Sequence, residues 1–211
     1  DADHAGGFAA VQRRSAAPVV FTPQWDRVPG ASPCLMGSAW RMDGVRFRFL
    51  HPDMHFPAFR NPSSCVLRVE TAHGAASLPG DIDDLVERLL VRRDAASLPA
   101  DVVIAAHHGS RSSSDPAFVR ATGAAVAMMS AGHGNRFGHP RAQVVARWQS
   151  RGGELLDTQS GGALRVWLGG DGLRVRERRH DRPRWWDAVR RQRAGGLSYR
   201  LEDERPDAPE D

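Results

Sequence analysis

Apolar positions along the chain recur with two different periods. From Trp40 the period is two: Trp40, Met42, Val45, Phe47 and Phe49 interleave with polar residues, as in half-buried strands joined by a turn at Asp43-Gly44. Residues 64–70 and 75–78 read as two more strands, separated by a His73-Gly74 turn and stopped by Pro79-Gly80-Asp81. Residues 82–93 carry Leu85, Leu89 and Leu90 at helical spacing, with acids early and arginines late, as a helix dipole favours. A buried strand follows over 102–106. A helix opens at Pro116, a further strand covers 124–130, and a helix covers 140–151. Residues 155–156, 163–168 and 173–176 read as short closing strands. Ahead of all this, residues 1–14 read as a loop entering a short helix whose apolar face begins at Phe8, and 17–40 as irregular, Pro- and Gly-rich chain. Strands alternating with helices predict an α/β fold.

Composition narrows the class. The 211 residues are 41% hydrophobic and contain no apolar run of eighteen or more, which excludes a membrane span within them and leaves room for one domain with a core. The start at Asp1 without a Met suggests a fragment. Net charge is +4 and every basic residue is arginine, whose fork binds phosphate oxygens in pairs. Cys34 and Cys65 match no zinc-finger spacing and read as two buried free thiols. The domain is expected to occupy 1–176, followed by a tail at 177–211 that is Arg- and Trp-rich and then acidic. Arginines between 174 and 193 suit a phosphate backbone, and Trp185-Trp186 could stack on bases. The competing reading, a surface helix packing its tryptophans on the domain, is favoured because acids at 202–211 dilute the basic field.

Four constellations carry chemistry, and they fall near the predicted strand ends, where layered α/β folds build sites. Asp1-x-Asp3-His4-x-Gly6-Gly7 gathers two carboxylates and an imidazole on one turn, able to face a cation. Asp81 follows a strand, where it could be a ligand or a helix N-cap. His107-His108-Gly109-Ser110 delivers two imidazoles into a glycine loop, one suited to ligate a metal and one to orient or bind, with Ser110, Arg111 and Ser113 suited to phosphate oxygens. The loop Gly132 to Pro140 adds Asn135, Arg136 and His139.

Their order resembles the metallo-β-lactamase superfamily. More narrowly, it resembles the C-terminal domain of ComEC-type DNA-internalisation proteins, over roughly residues 1–168. The resemblance implies an αββα sandwich, N-terminally truncated here, because the first strands and the leading His of the family's first motif would precede Asp1. It implies two divalent ions, Mn²⁺ or Zn²⁺, held by Asp1, Asp3, His4, Asp81 and one or both of His107 and His108. His51 stands near the place of a middle His ligand. Asp3 and His139 are the implied catalytic residues, Asp3 positioning or deprotonating a water. Ser110, Arg111, Ser113, Asn135 and Arg136 are the implied substrate contacts. The expected function is a nuclease-like phosphodiesterase domain of a bacterial inner-membrane protein that takes up DNA in natural competence. Its partners would be DNA, single- or double-stranded, and the transmembrane channel of the same parent chain, with no small-molecule cofactor. Hydrolysis of a small phosphodiester or ester, and a non-catalytic DNA-binding or structural role, are the alternatives. A site retaining Asp3, His4, Asp81 and the His107-His108 pair argues against decay.

Overall fold

A computed structural model describes residues 2–15 and 19–187, excluding the side chains of Ala2 and Asp3. Two short helices, α1 (Ala2–Ala5) and α2 (Phe8–Arg14), lead in. The expected apolar face of α2 is not buried: Val11 is 58% exposed. Strands β1 (Phe21–Thr22) and β2 (Ser32–Pro33) pair within the stretch expected to be irregular. The main sheet comprises β3 (Ala39–Met42), β4 (Val45–His51), β5 (Val66–Thr71), β6 (Gly74–Leu78), β7 (Val102–Ile104), β8 (Val126–Met129) and β9 (Glu154–Asp157), in that spatial order. Its first four strands are antiparallel hairpins and its last four run parallel. The parallel half needs crossovers, supplied by α3 (Asp84–Asp94), α4 (Pro116–Thr122) and α5 (Ala142–Gln149). After β9 come α6 (Thr158–Gly161), the hairpin β10 (Leu164–Gly169)–β11 (Gly172–Glu177) and α7 (Arg178–Asp181).

Burial separates three layers. Val103, Ala105, Ala127 and Met129 pack with Val119, Val144 and Trp148 of the helices. Leu50, Val66 and Ile82 pack with Val86, Leu90 and Phe118. On the other face Val102, Val126 and Leu156 meet Leu164, Val166, Leu168, Leu173 and Val175 of the hairpin. This mixed α/β architecture, a large sheet with helices on one face and a small sheet on the other, is compatible with an αββα sandwich.

Three local expectations are corrected. Cys34 and Cys65 are not free thiols; they form a disulfide with Cα atoms 5.8 Å apart, tying the segment after β2 to the start of β5. The buried face of α3 is Val86, Glu87 and Leu90, while Leu85 is 63% exposed, so the face is turned by one residue from the leucine spacing. The reason is Glu87, which is fully buried and accepts the backbone N–H groups of Ser114 and Asp115, at 2.9 and 2.5 Å. A sequence reading places glutamate outside; here it satisfies donors just ahead of α4. Finally, Trp185 and Trp186 are 75% and 50% exposed, so neither is buried against the domain. Residues 188–211, including most of the expected tail helix and its acidic end, lie outside the described residues.

Candidate metal centre

The parallel half of the sheet aims its C-terminal ends at one place. Beyond β6, the turn through Gly80 puts Asp81 there, 6% exposed. The helix N-cap is Asp83, whose carboxylate accepts from Val86 N at 3.0 Å, so Asp81 is released from the capping role. Gly80 adopts φ +63°, and a Cβ at this position would stand 2.9 Å from Ser64 Cβ.

Beyond β7, residues His107, His108 and Gly109 take φ values of +50°, +55° and +80° in succession. Left-handed backbone costs an ordinary residue about 1–2 kcal/mol, so two adjacent histidines hold it only because the surroundings fix the loop. His107 N donates to Gly80 O (3.0 Å), joining this turn to the Asp81 turn. Ser113 Oγ donates to Ala106 O (2.8 Å), Trp148 Nε1 donates to Ser114 Oγ (3.0 Å), and Arg147 reaches the carbonyls of Ser113 and Ser114. Together with Glu87, these bonds clamp residues 106–115.

The clamp splits the two histidines. His108 turns toward Asp81 and His4: its Nε2 lies 3.6 Å from Asp81 Oδ1 and 3.3 Å from His4 Nε2, and His4 Nε2 lies 3.0 Å from Asp81 Oδ2. All three ligand atoms fall within 4.8 Å of one another. His108 Nδ1 lies 2.8 Å from Ser130 O. A carbonyl only accepts, so Nδ1 donates to it and Nε2 is the ring nitrogen turned toward Asp81 and His4. This is the arrangement by which a carbonyl behind a histidine prepares the far nitrogen for a metal.

His107 turns the other way. Asn61 Nδ2 donates to its Nε2 (3.1 Å), and its ring stands 6.1 Å from that of His139, which stacks on Phe137. The choice between the two histidines is therefore made by geometry, in favour of His108 as the one in the cation-facing group.

The remaining expected residues divide. Asp1 lies outside the described residues, and of Asp3 only the backbone, within α1, is described. Ser110 and Ser113 are fully buried, and the Ser113 hydroxyl is committed to backbone carbonyls; they shape the loop instead of facing a substrate. Asn135 is likewise occupied: Nδ2 donates to Gly132 O and His139 O, and Oδ1 accepts from His139 N, closing the 132–139 loop. Arg111 and Arg136 are exposed, the latter over the Phe137 ring at 4.7 Å. His51 lies outside the His4–Asp81–His108 group. A register shift in β4 turns Phe49, Leu50 and His51 all inward, and His51 bonds Pro62 O at 2.7 Å against Phe56. Burial holds its imidazole below the ordinary histidine pKa.

Sequence reasoning missed Asn61, Glu87 and the Ser130 carbonyl. None carries a local signal, because each acts on a residue at least 22 positions away.

This geometry meets a clear similarity. Over 179 residues, 85% of its length, the chain is 35% identical to competence protein ComA of Neisseria gonorrhoeae. That match places it beside a competence protein. ComE operon protein 3 of Bacillus subtilis is 31% identical over 61% of the chain, and recombination protein 2 of Haemophilus influenzae 26% identical over 90%. These relatives support a competence-related family of the ComEC type. The chain spans 26%, 16% and 24% of their respective lengths. No family model matches. Among the described residues no helix is long and apolar enough to cross a membrane.

Proposed function

We propose that this domain is a metal-dependent phosphodiesterase of the metallo-β-lactamase type that cleaves DNA as part of a competence protein. The observation that carries the reading is the convergence of His4, Asp81 and His108, with the His108 tautomer fixed by Ser130 O. Their mixed nitrogen and oxygen donors fit Zn²⁺ or Mn²⁺. These three side chains would hold one ion, and Asp1 and Asp3, by the motif resemblance, would complete a pair. Such ions supply Lewis-acid polarisation of a phosphoryl oxygen and ease loss of a proton from water near neutral pH.

The protein's own groups do the rest. Asp81, buried, stands within 3.0 Å of His4 Nε2 and 3.6 Å of His108 Nε2. His107 and His139 stand together, with Asn61 setting the His107 ring. In this reading His139 would hold a phosphate oxygen or donate a proton to the leaving oxygen. Exposed Arg111 and Arg136 neutralise flanking phosphates. The domain would belong to a longer chain of the plasma membrane, which suits the competence relatives.

The test is cleavage by the metal-loaded chain of single-stranded DNA, double-stranded DNA and bis-p-nitrophenyl phosphate, beside Asp81→Asn. Metal-dependent DNA cleavage lost in Asp81→Asn supports the reading. Turnover of the small diester alone, or no turnover with stoichiometric metal bound, refutes it.

A further inference from the structure

A second charged site lies on the far side of α6. The turn after α6, helix α7 and the turn that follows it border a cavity of about 260 Å³ lined by Arg178, Arg179, Arg182, Arg184, Trp186 and Asp187. Four guanidiniums against one carboxylate make it strongly attractive to anions. Two of the four are structural: Arg179 is bonded to the carbonyls of Thr158 and Gln159 and lies 3.5 Å from Asp187, and Arg178 donates to Arg182 O at 2.8 Å. Arg182 and Arg184 are exposed, and no ion pair among the described residues engages them. Arg184 lies over the Trp186 ring at 5.3 Å, and Trp185 meets Trp186 edge to face. Two aromatic rings, 75% and 50% exposed, beside two guanidiniums outside any described ion pair form a stacking surface with phosphate donors at its edge.

We propose that this cavity binds single-stranded nucleic acid, one base stacking on Trp186 or Trp185 and the adjoining phosphodiesters pairing with Arg182 and Arg184. The volume falls below the roughly 300–1,000 Å³ of pockets that swallow whole ligands, so it suits one nucleotide of a longer strand. The path supports a strand as the occupant. Thr158 Oγ1 pairs with Ala131, next to the Ser130 that orients His108, and Gln159 Nε2 donates to His139 O. The same two residues offer their carbonyls to Arg179. One helical turn, about 5.4 Å of rise, thus braces the candidate metal centre on one side and the Arg–Trp cavity on the other. Preference for nucleic acid over an anionic bilayer, which Arg and Trp also suit, rests on the proposed phosphodiesterase reading.

Binding is measured apart from cleavage, on the 211-residue chain in EDTA, by fluorescence anisotropy of labelled dT12 across a salt series. Trp185→Ala/Trp186→Ala should weaken binding at least fivefold, since stacking on an aromatic side chain is worth about 5- to 150-fold per base. Arg182→Ala/Arg184→Ala should reduce the salt slope by about 1.4, at about 0.7 for each phosphate left without its arginine. The control Arg41→Ala/Arg46→Ala removes equal charge from β3 and β4, at the opposite edge of the sheet, and should change neither. Wild-type affinity in the tryptophan variant overturns the site, as does an equal loss in the control. So does binding to phosphatidylglycerol vesicles without binding to dT12. Cleavage that persists while dT12 binding ignores these residues sinks this site alone; binding that depends on them in a chain with no metal-dependent cleavage sinks the nuclease reading alone.

Discussion

Replacing Cys34 and Cys65 together by alanine should cost both stability and order around the candidate centre. The two cysteines are 31 positions apart in sequence. Closing a loop of that size removes about 12 cal/mol/K from the unfolded chain, or about 3.7 kcal/mol at 25 °C. For a domain of this size each kcal/mol shifts the melting temperature by about 2–4 °C, so the double variant should melt about 7–15 °C lower. The disulfide also anchors a functional loop. Asn61, which sets His107, lies four positions before Cys65, and His51, packed under the same loop, bonds Pro62 O. The activity of the folded variant should therefore fall at temperatures well below its transition. Calorimetry of oxidised, reduced and variant protein measures the first effect, and thiol titration of the native chain should find no free sulfhydryl. Because such bonds persist in oxidising compartments, alkylation of intact cells should trap the pair as a disulfide, placing the domain outside the cytoplasm. Two titratable thiols in native protein, with no melting difference on reduction, would falsify the reasoning.

Other perturbations separate the parts of the site. Asp81→Asn keeps the volume but removes the charge, and should abolish stoichiometric Zn²⁺ or Mn²⁺ uptake measured by calorimetry. Asn61→Ala should leave metal content intact and lower kcat about tenfold, the scale of losing a residue that orients a functional histidine; an unchanged kcat would remove Asn61 from the site. Gly109→Ala should destabilise by more than about 2 kcal/mol in urea, because its φ of +80° disfavours a side chain and the new Cβ would lie 2.8 Å from Pro140 Cβ. Glu87 gives a pH signature: desolvation raises its carboxyl from 4.5 to about 8 against two N–H bonds that lower it. The folded state then keeps a proton the unfolded chain has lost, so stability should fall as pH rises from about 4.5 to 8, by at most about 5 kcal/mol, and level off above. Glu87→Gln should flatten that slope in urea titrations at successive pH values; an unaltered slope would assign it to other groups.

What was legible in the sequence follows from the range of the forces involved. The alternation at Trp40–Phe49 and the Pro116 opening of α4 are local patterns, and those strands and that helix appear where they predict. Asp81 and the His107-His108 pair were legible because a polar residue released from a strand end has few structural tasks. Which histidine faces Asp81 was not legible. The answer depends on left-handed backbone held by Glu87, Arg147 and Trp148. Asn135 illustrates the opposite error. Its position in a glycine loop suggested a substrate contact, yet the loop must satisfy its own backbone, and Asn135 does so with both ends of its amide.

The buried carboxyl of Glu87 and the strained histidines are parts of one device. His107 and His108 direct their rings to different partners, Asn61 and Asp81, from left-handed backbone whose local cost Gly109 alone avoids. Glu87 offsets that cost from beneath by taking the N–H groups of Ser114 and Asp115, while Trp148 and Arg147 hold the same segment from α5. The consequence is directional: weakening the clamp should release strain first at the histidines. Trp148→Phe, which keeps an aromatic ring but loses the bond to Ser114 Oγ, should therefore lower metal affinity more than it lowers global stability. Paired metal titration and urea unfolding of that variant measure the two effects. Equal losses in both would mean that the loop and the core yield together, and that the histidines are not held under separate strain.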